Sequence, residues 1–331
     1  MESCEQENLS YADSKRFIDT TLDDAWLLSD LYDEASQIDI ITEENLSDIE
    51  NAEDLFLWAT QVLSESPVAM ALLDNAMAQG WSLLLEDTGA ESHLLFIEDR
   101  EIALDKNGLE ISAITKSAYF RNHFLINFVS ALRDIWHETN IGEMIFDYSP
   151  EDILMLERIK AADITTTTVH ICWELRSAGY SDIWRYMLGS QHGDMAMVFA
   201  RRLEREALSL FNGNALSDAF HNWFENEARV NPCDHDTLEM IDEYLQDGNA
   251  MAVSKKLNGG FIATLTRLPG GVCYLNGRGE EILQDPHFAG CQNEINQTHL
   301  FHIMYDMKVH RVCGVPFADI DLAKKIFPTE F

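Results

Sequence analysis

Residues Tyr119 to Glu138 carry the clearest pattern in the chain, YFRNHFLINFVSALRDIWHE. Phe124, Phe128, Ala131, Leu132 and Ile135 recur at steps of three and four, which predicts a helix with one buried face. His123, Asn127, Ser130, Asp134 and His137 recur the same way on another side, within a sector of roughly 80°. A second long helix is expected from Pro150 to Ala178, with Ser149 as its N-cap, Pro150 at its first position and Gly179 as its stop. Its Thr165–Thr168 run is poor helix sequence, so packing must hold it. Before these two lie a short helix over 67–79, ended by Gly80, and three short apolar segments, Trp81–Leu85, His93–Ile97 and Glu101–Leu104. Turn residues separate the segments, which predicts a three-stranded antiparallel meander. Further helices are expected at Ser181–Leu188, Asp194–Phe211, Ala215–Val230, Asp236–Gln246 and Asn293–Met307, with a turn at Leu268-Pro-Gly-Gly. Pro316 and Pro328 punctuate the tail, and no internal repeat is visible.

The expected fold is therefore α+β and predominantly helical: a small antiparallel sheet beside a long helix, followed by a helical bundle. Three regions are distinguished. Residues 1–66 form an acidic helical region, 67–250 the core, and 251–331 a mixed C-terminal region packed on it. The first holds 18 Asp or Glu against only Lys15 and Arg16, yet Trp26, Leu31, Tyr32 and Leu55–Trp58 recur at helical spacing. Two or three acidic amphipathic helices fit it, and a mobile acidic arm is the alternative.

Composition narrows the function classes. Hydrophobic content of 46% with seven tryptophans belongs to a folded protein. A net charge of −34 repels phosphate backbones and anionic membranes, so neither nucleic acid nor a membrane is an expected partner. The six cysteines (Cys4, Cys172, Cys233, Cys273, Cys291, Cys313) contain no Cys-x-x-Cys pair, which argues against a zinc ribbon and a disulfide framework. With no secretory signal and no stretch of about 18 apolar residues, a cytoplasmic location is expected.

Several constellations could carry chemistry. A zinc peptidase helix displays His-Glu-x-x-His, whose imidazoles meet at one metal while the Glu activates the bound water. Here Ser130-Ala-Leu-Arg-Asp134 occupies that spacing, so the geometry stands without its ligands, and a solvated polar face is the plainer reading. Asp163, Thr167, His170 and Glu174 repeat the same steps on the next helix, with His170 and Glu174 spaced to pair. Glu227–His235 is a polar stretch that could form a site or cap two helices, with Asp234 the expected cap. His299 and His302 share a helical face without an acidic partner nearby in sequence. Gly277-Arg-Gly279 lacks the context of a phosphate loop.

LRDIWHE (132–138), AADITTTTVHICWELRSAGY (161–180), WFENEARVNPCDHDTLEMID (223–242) and VPFADIDLAKKIFP (315–328) together resemble a bacterial family of unknown function classed as a putative metallopeptidase and zincin-like in scaffold. The resemblance runs from about residue 67 to the C-terminus. It implies His-Glu-Leu-Arg-His where this chain has Ser130, Ala131, Leu132, Arg133 and Asp134, with Asp163 in the family's acidic third-ligand region. On that reading Ser130 and Asp134 replace two zinc histidines and Ala131 the catalytic glutamate, a general base worth about 10²–10⁴ in rate. The resemblance thus implies a metallopeptidase-like scaffold that is zinc-free and non-catalytic, with no cofactor and a peptide or protein as partner. The alternative is a working metallohydrolase whose zinc is held by non-standard ligands from His123, Asp134, His137, Asp163 and His170. A third reading is an acidic interaction module built on the N-terminal region.

Overall fold

A computed structural model describes residues 25–42, 45–89, 92–141, 145–247, 249, 251, 253–307, 310–312, 315–317 and 324–326. A two-residue strand β1 (Trp26–Leu27) runs into helix α1 (Leu28–Ala35). After a 3-10 turn at Leu46–Asp48 come α2 (Ala52–Ser64), α3 (Pro67–Ala78) and strands β2 (Ser82–Glu86), β3 (His93–Phe96) and β4 (Glu101–Asp105). Short α4 (Ile111–Lys116) leads into the two longest helices, α5 (Ala118–Ile141) and α6 (Pro150–Ser177). Then follow α7 (Ser181–Gly189), α8 (Gly193–Arg205), α9 (Asn214–Phe224) and α10 (Glu227–Gln246). The C-terminal part adds α11 (Gly259–Leu265), α12 (Gly279–Gln284), α13 (Pro286–Ala289), α14 (Glu294–Asp306) and a hairpin of β5 (His310–Val312) and β6 (Val315–Phe317). The fold is predominantly helical with a small sheet.

The local signals work where they are chemical. Ser66 and Ser149 each accept a backbone N–H three residues on, with proline at the first helical position. Gly80 and Gly179 stand in left-handed conformation just past the helices they end. Glu174, near the end of α6, reaches the start of α3, accepting from the Ser66 hydroxyl at 2.5 Å and Val68 N–H at 3.2 Å. A carboxylate there also suits the positive end of the α3 dipole.

The sheet is not the expected meander. Its order is β1-β2-β4-β3, with β2 and β4 parallel and β3 and β4 antiparallel. The Ile97–Arg100 turn closes β3 against β4 tightly, with Arg100 at φ 56°, whereas the longer β2–β3 connection carries β3 past its neighbour. β4 takes a central position because Ile102, Ala103 and Leu104 are apolar on both faces and fully buried. Alternation alone does not encode that order. Leu83, Ile102 and Leu104 face the main core with α5, while Trp26 and Leu27 extend the sheet beyond β2.

Of the acidic N-terminal region, α1 and α2 pack on the body: Leu28, Leu55, Phe56 and Leu63 are fully buried. Each such side chain contributes about 1.5–3 kcal/mol relative to exposure. Residues 1–24, including Cys4, lie outside the described residues, as do Cys313 and most of the tail motif at 315–328. Cys172, Cys233, Cys273 and Cys291 are free thiols.

Three helix boundaries are corrected. The helix expected over Ala215–Val230 runs over Asn214–Phe224, because Asn226 caps a new helix that starts at Glu227. The helix expected to reach Phe211 ends at Arg205, since Leu208 and Phe211 are exposed and offer no buried face to continue it. The helix expected to begin at Asp236 begins at Glu227, capped by Asn226, and runs through Pro232. Proline removes one helical donor there, but Arg229, Val230, Asp234, Leu238 and Ile241 bury on both sides of it and hold the helix. Asp234 is therefore an interior residue, not a cap. Among the described residues, no helix is long and apolar enough to cross a membrane.

Candidate functional site

The polar stripe of α5 meets two different neighbours. On one side is the edge of the sheet. Residues 93 and 95 of β3 share the face of Ile102 and Leu104, so the His93 side chain reaches α5, where its Nε2 donates to Asp134 Oδ2 at 3.4 Å. With that nitrogen donating, Nδ1 accepts from the Ser92 hydroxyl at 3.0 Å. Burial pushes the Asp134 carboxyl up, but His93 and Lys160 outweigh it and bring it down to about 2. Burial opposes the Lys160 charge, yet Glu157, Asp134 and Glu138 hold its pKa above the usual lysine value. Ser130, one turn before Asp134, donates to the Ile126 carbonyl at 2.9 Å. Ala131 is fully buried in the core.

On the other side the stripe is buried. Asp163 of α6 is fully buried, and its Oδ2 accepts from Arg133 Nε at 2.7 Å and His137 Nε2 at 2.8 Å. Its Oδ1 accepts from the Tyr274 hydroxyl. Arg133 uses its remaining nitrogens on the Leu265 carbonyl at 3.3 Å and the Arg267 carbonyl at 3.2 Å. Burial would raise the Asp163 pKa, but the Arg133 charge and the His137 bond overcome it and hold the carboxyl at about 2. Burial also lowers His137, against the pull of Asp163, so the ring is neutral. For Tyr274, burial first and Asp163 second keep the phenol protonated. The result is an ionised carboxylate with three donors, which fastens the 265–274 segment to the α5–α6 pair.

Tyr274 reaches Asp163 because Gly213 lets it. Gly213 has φ 79°, and a Cβ built on it would lie 2.8 Å from both Cα and Cβ of Tyr274. Gly213→Ala should therefore strain the backbone and displace Tyr274 at once, lowering stability by about 1–3 kcal/mol. A urea titration followed by tryptophan fluorescence would read this; an unchanged midpoint would show that the segment does not need the close approach.

The remaining candidates, His123 and His170, have different surroundings. His123 Nδ1 lies 3.0 Å from the Tyr186 hydroxyl, and Asn127 donates to its Nε2 at 3.4 Å. Burial lowers the His123 pKa. His170 lies 3.5 Å from Glu174 Oε1, beyond good hydrogen-bond geometry, and burial keeps it neutral. Of the five residues singled out as metal ligands, the fold brings His137 and Asp163 together, and Asp134 has His93 instead. His123 and His170 each face a different neighbour. Among the described residues, no three His, Cys, Asp or Glu side chains are placed to hold one metal ion.

Some residues of this site carry no strong mark in the sequence. His93 is one polar position in an edge strand. Arg133 was legible in principle, since an arginine between Leu132 and Ile135 on an apolar helix must find a buried partner. His299 has the acidic partner that sequence proximity hid: Asp242 on α10, at 2.6 Å.

Neither a curated protein nor a solved structure matches the chain. Residues 128–275, which hold Ser130, Asp134 and the whole Asp163 cluster but not His93, match the family described as Putative metallopeptidase family (DUF6782).

Proposed function

We propose that this chain is a zincin-like relative that uses its scaffold to bind an extended peptide or protein segment beside β3 and does not hydrolyse it. The observation that carries the reading is the pairing of Asp134 with His93. Through its contact with His93, Asp134 fills one of the two helix positions where the family resemblance puts zinc histidines, and Ser130 fills the other while donating to the Ile126 carbonyl. The donor set supports it. His93 and Asp134 are two donors, not three, and the Lys160 charge already favours the ionised Asp134 carboxylate. Asp163, the expected acidic ligand, has both oxygens taken, one of them by a permanent guanidinium. Ala131 offers no general base.

β3 supports the binding half of the proposal. It is the last strand of its sheet, and among the described residues nothing pairs with its outer edge, so its backbone can accept an added strand.

Two measurements test the reading. Elemental analysis of protein purified without chelator or affinity metal should find far less than one zinc per chain. Peptides selected by display on the full chain should shift the amide resonances of residues 93–96 and remain uncut. One zinc per chain with peptide cleavage would overturn the reading in favour of a metallohydrolase with non-standard ligands. Shifts confined to other surfaces would overturn the placement at β3.

A further inference from the structure

Four threonines follow one another on α6, and they behave in two ways. Thr165 donates its hydroxyl to the Ala161 carbonyl at 2.9 Å, and Thr168 donates to Ile164 at 2.8 Å. This i−4 bond is the ordinary resting place of a threonine inside a helix. Thr166 and Thr167 are fully buried and do otherwise: neither hydroxyl has a partner among the described residues. One turn further on, His170 is 5% exposed with neither ring nitrogen bonded. Its ring lies 6.0 Å from that of Phe199.

These three residues are spaced by three and four, so they share one face of α6. Asp163 belongs to the same face, and its partner His137 has an unpaired, fully buried Nδ1. Since His137 Nε2 donates to Asp163, that Nδ1 is an acceptor waiting for a donor. Buried polar atoms without partners are uncommon singly, and a contiguous run of them points to a bound molecule. The chemistry of the run identifies it. Burial keeps His170 neutral despite Glu174, and the threonines carry no charge. An anion would meet no free cation on this face. A cation would meet no free oxygen on Asp163, which is taken up by Arg133, His137 and Tyr274. A small neutral molecule that both donates and accepts fits both hydroxyls and the imidazole.

We propose that the Thr166–Thr167–His170 face of α6 is an internal hydration site, where ordered water bridges the two hydroxyls to the imidazole between the helices. Such waters are integral to a fold, and removing their partners weakens it.

The sign of one substitution separates a wet face from a dry one. Thr167→Val keeps the shape and deletes the hydroxyl. On a hydrated face it should lower the melting temperature by about 1–4 °C, because the water loses a partner. Thr168→Val, which removes only a back-bond, should stay within about 1 °C of the parent. An unchanged or raised melting temperature for Thr167→Val would overturn the proposal, since an unpartnered hydroxyl in a dry core is better replaced by a methyl. A high-resolution crystal structure gives the direct view. A solvent peak about 2.7–3.2 Å from both Thr167 Oγ1 and a His170 nitrogen is expected. Both hydroxyls turned onto the Ala162 and Asp163 carbonyls, with no peak between them, would refute it.

Discussion

Asp163→Asn should destabilise the protein by about 3–5 kcal/mol, a large share of the roughly 5–15 kcal/mol that holds an ordinary domain folded. The substitution is nearly isosteric, so packing is not the cause. The amide has one oxygen where the carboxylate had two, and Tyr274, His137 and Arg133 all donate toward it. His137 can exchange tautomers and accept from the new NH₂. Arg133 cannot, because a guanidinium has no acceptor and keeps its charge. It would be left fully buried, with only the carbonyls of Leu265 and Arg267 to balance it. The same logic gives a pH dependence. The Asp163 carboxyl stands at about 2 in the folded chain against an ordinary value of 3.8. A depressed pKa contributes stability that is complete above the unfolded value and disappears as pH falls through the folded one. For a shift of this size the contribution is on the order of 2–3 kcal/mol. The parent should therefore lose stability progressively from about pH 5 down to pH 2, and Asp163→Asn should lose less over that window. Urea midpoints measured across the range decide the point. Parallel slopes for parent and variant would mean that the carboxylate is not the titrating group.

How much of this was readable beforehand depends on the kind of signal. Helices announced themselves through periodicity and through residues that do chemistry on their own backbone: Ser149, Gly80 and Gly179 mark ends that the structure reproduces within a residue or two. Strand segments were equally visible, but their order was not. Alternation records which side of a strand is wet and says nothing about which strand lies next to it. β4 took the centre through burial on both faces, a property of the assembled sheet. The helix start expected at Asp236 failed for a related reason, since the helix runs on through Pro232. The local cost of that proline is real, and it was outweighed by side chains that bury on both sides of it.

The candidate site was legible as a spacing and not as a set of contacts. The stripe on α5 drew attention to Asp134 and His137, and the next helix to Asp163, and in the fold His137 meets Asp163 while Asp134 meets His93. What lay beyond sequence reasoning was the pairing, because His93 comes from 41 residues away and Tyr274 from 111. Helical periodicity places side chains on a face, and only the fold decides what that face meets. The five-residue stripe does not face a single neighbour. It divides, with Asp134 toward the sheet and His137 into a buried cluster.

The second large effect concerns Arg158 and Asp234, a buried pair that ties α6 to α10 and both to the C-terminal segment. Arg158 Nη2 donates to Asp234 Oδ2 at 2.7 Å, and Nη1 donates to the Phe288 carbonyl at 2.8 Å. Both side chains are essentially fully buried. Asp234→Ala should cost about 3–5 kcal/mol, since it strands the guanidinium in the core. Arg158→Met strands the carboxylate instead and frees the Phe288 carbonyl, and it should cost a similar amount. The double variant is the informative one. With both charges gone, the penalty of an unpaired buried ion disappears, so its loss should be smaller than the sum of the two single losses by about 2–3 kcal/mol. It should not return to the parent level, because the carbonyls of Phe288 and Gly290 lose their donor and are left to find water. Additive losses in the double variant would mean that each residue acts through packing alone. A double variant as stable as the parent would mean that the C-terminal segment does not rely on Arg158 to hold it against α6.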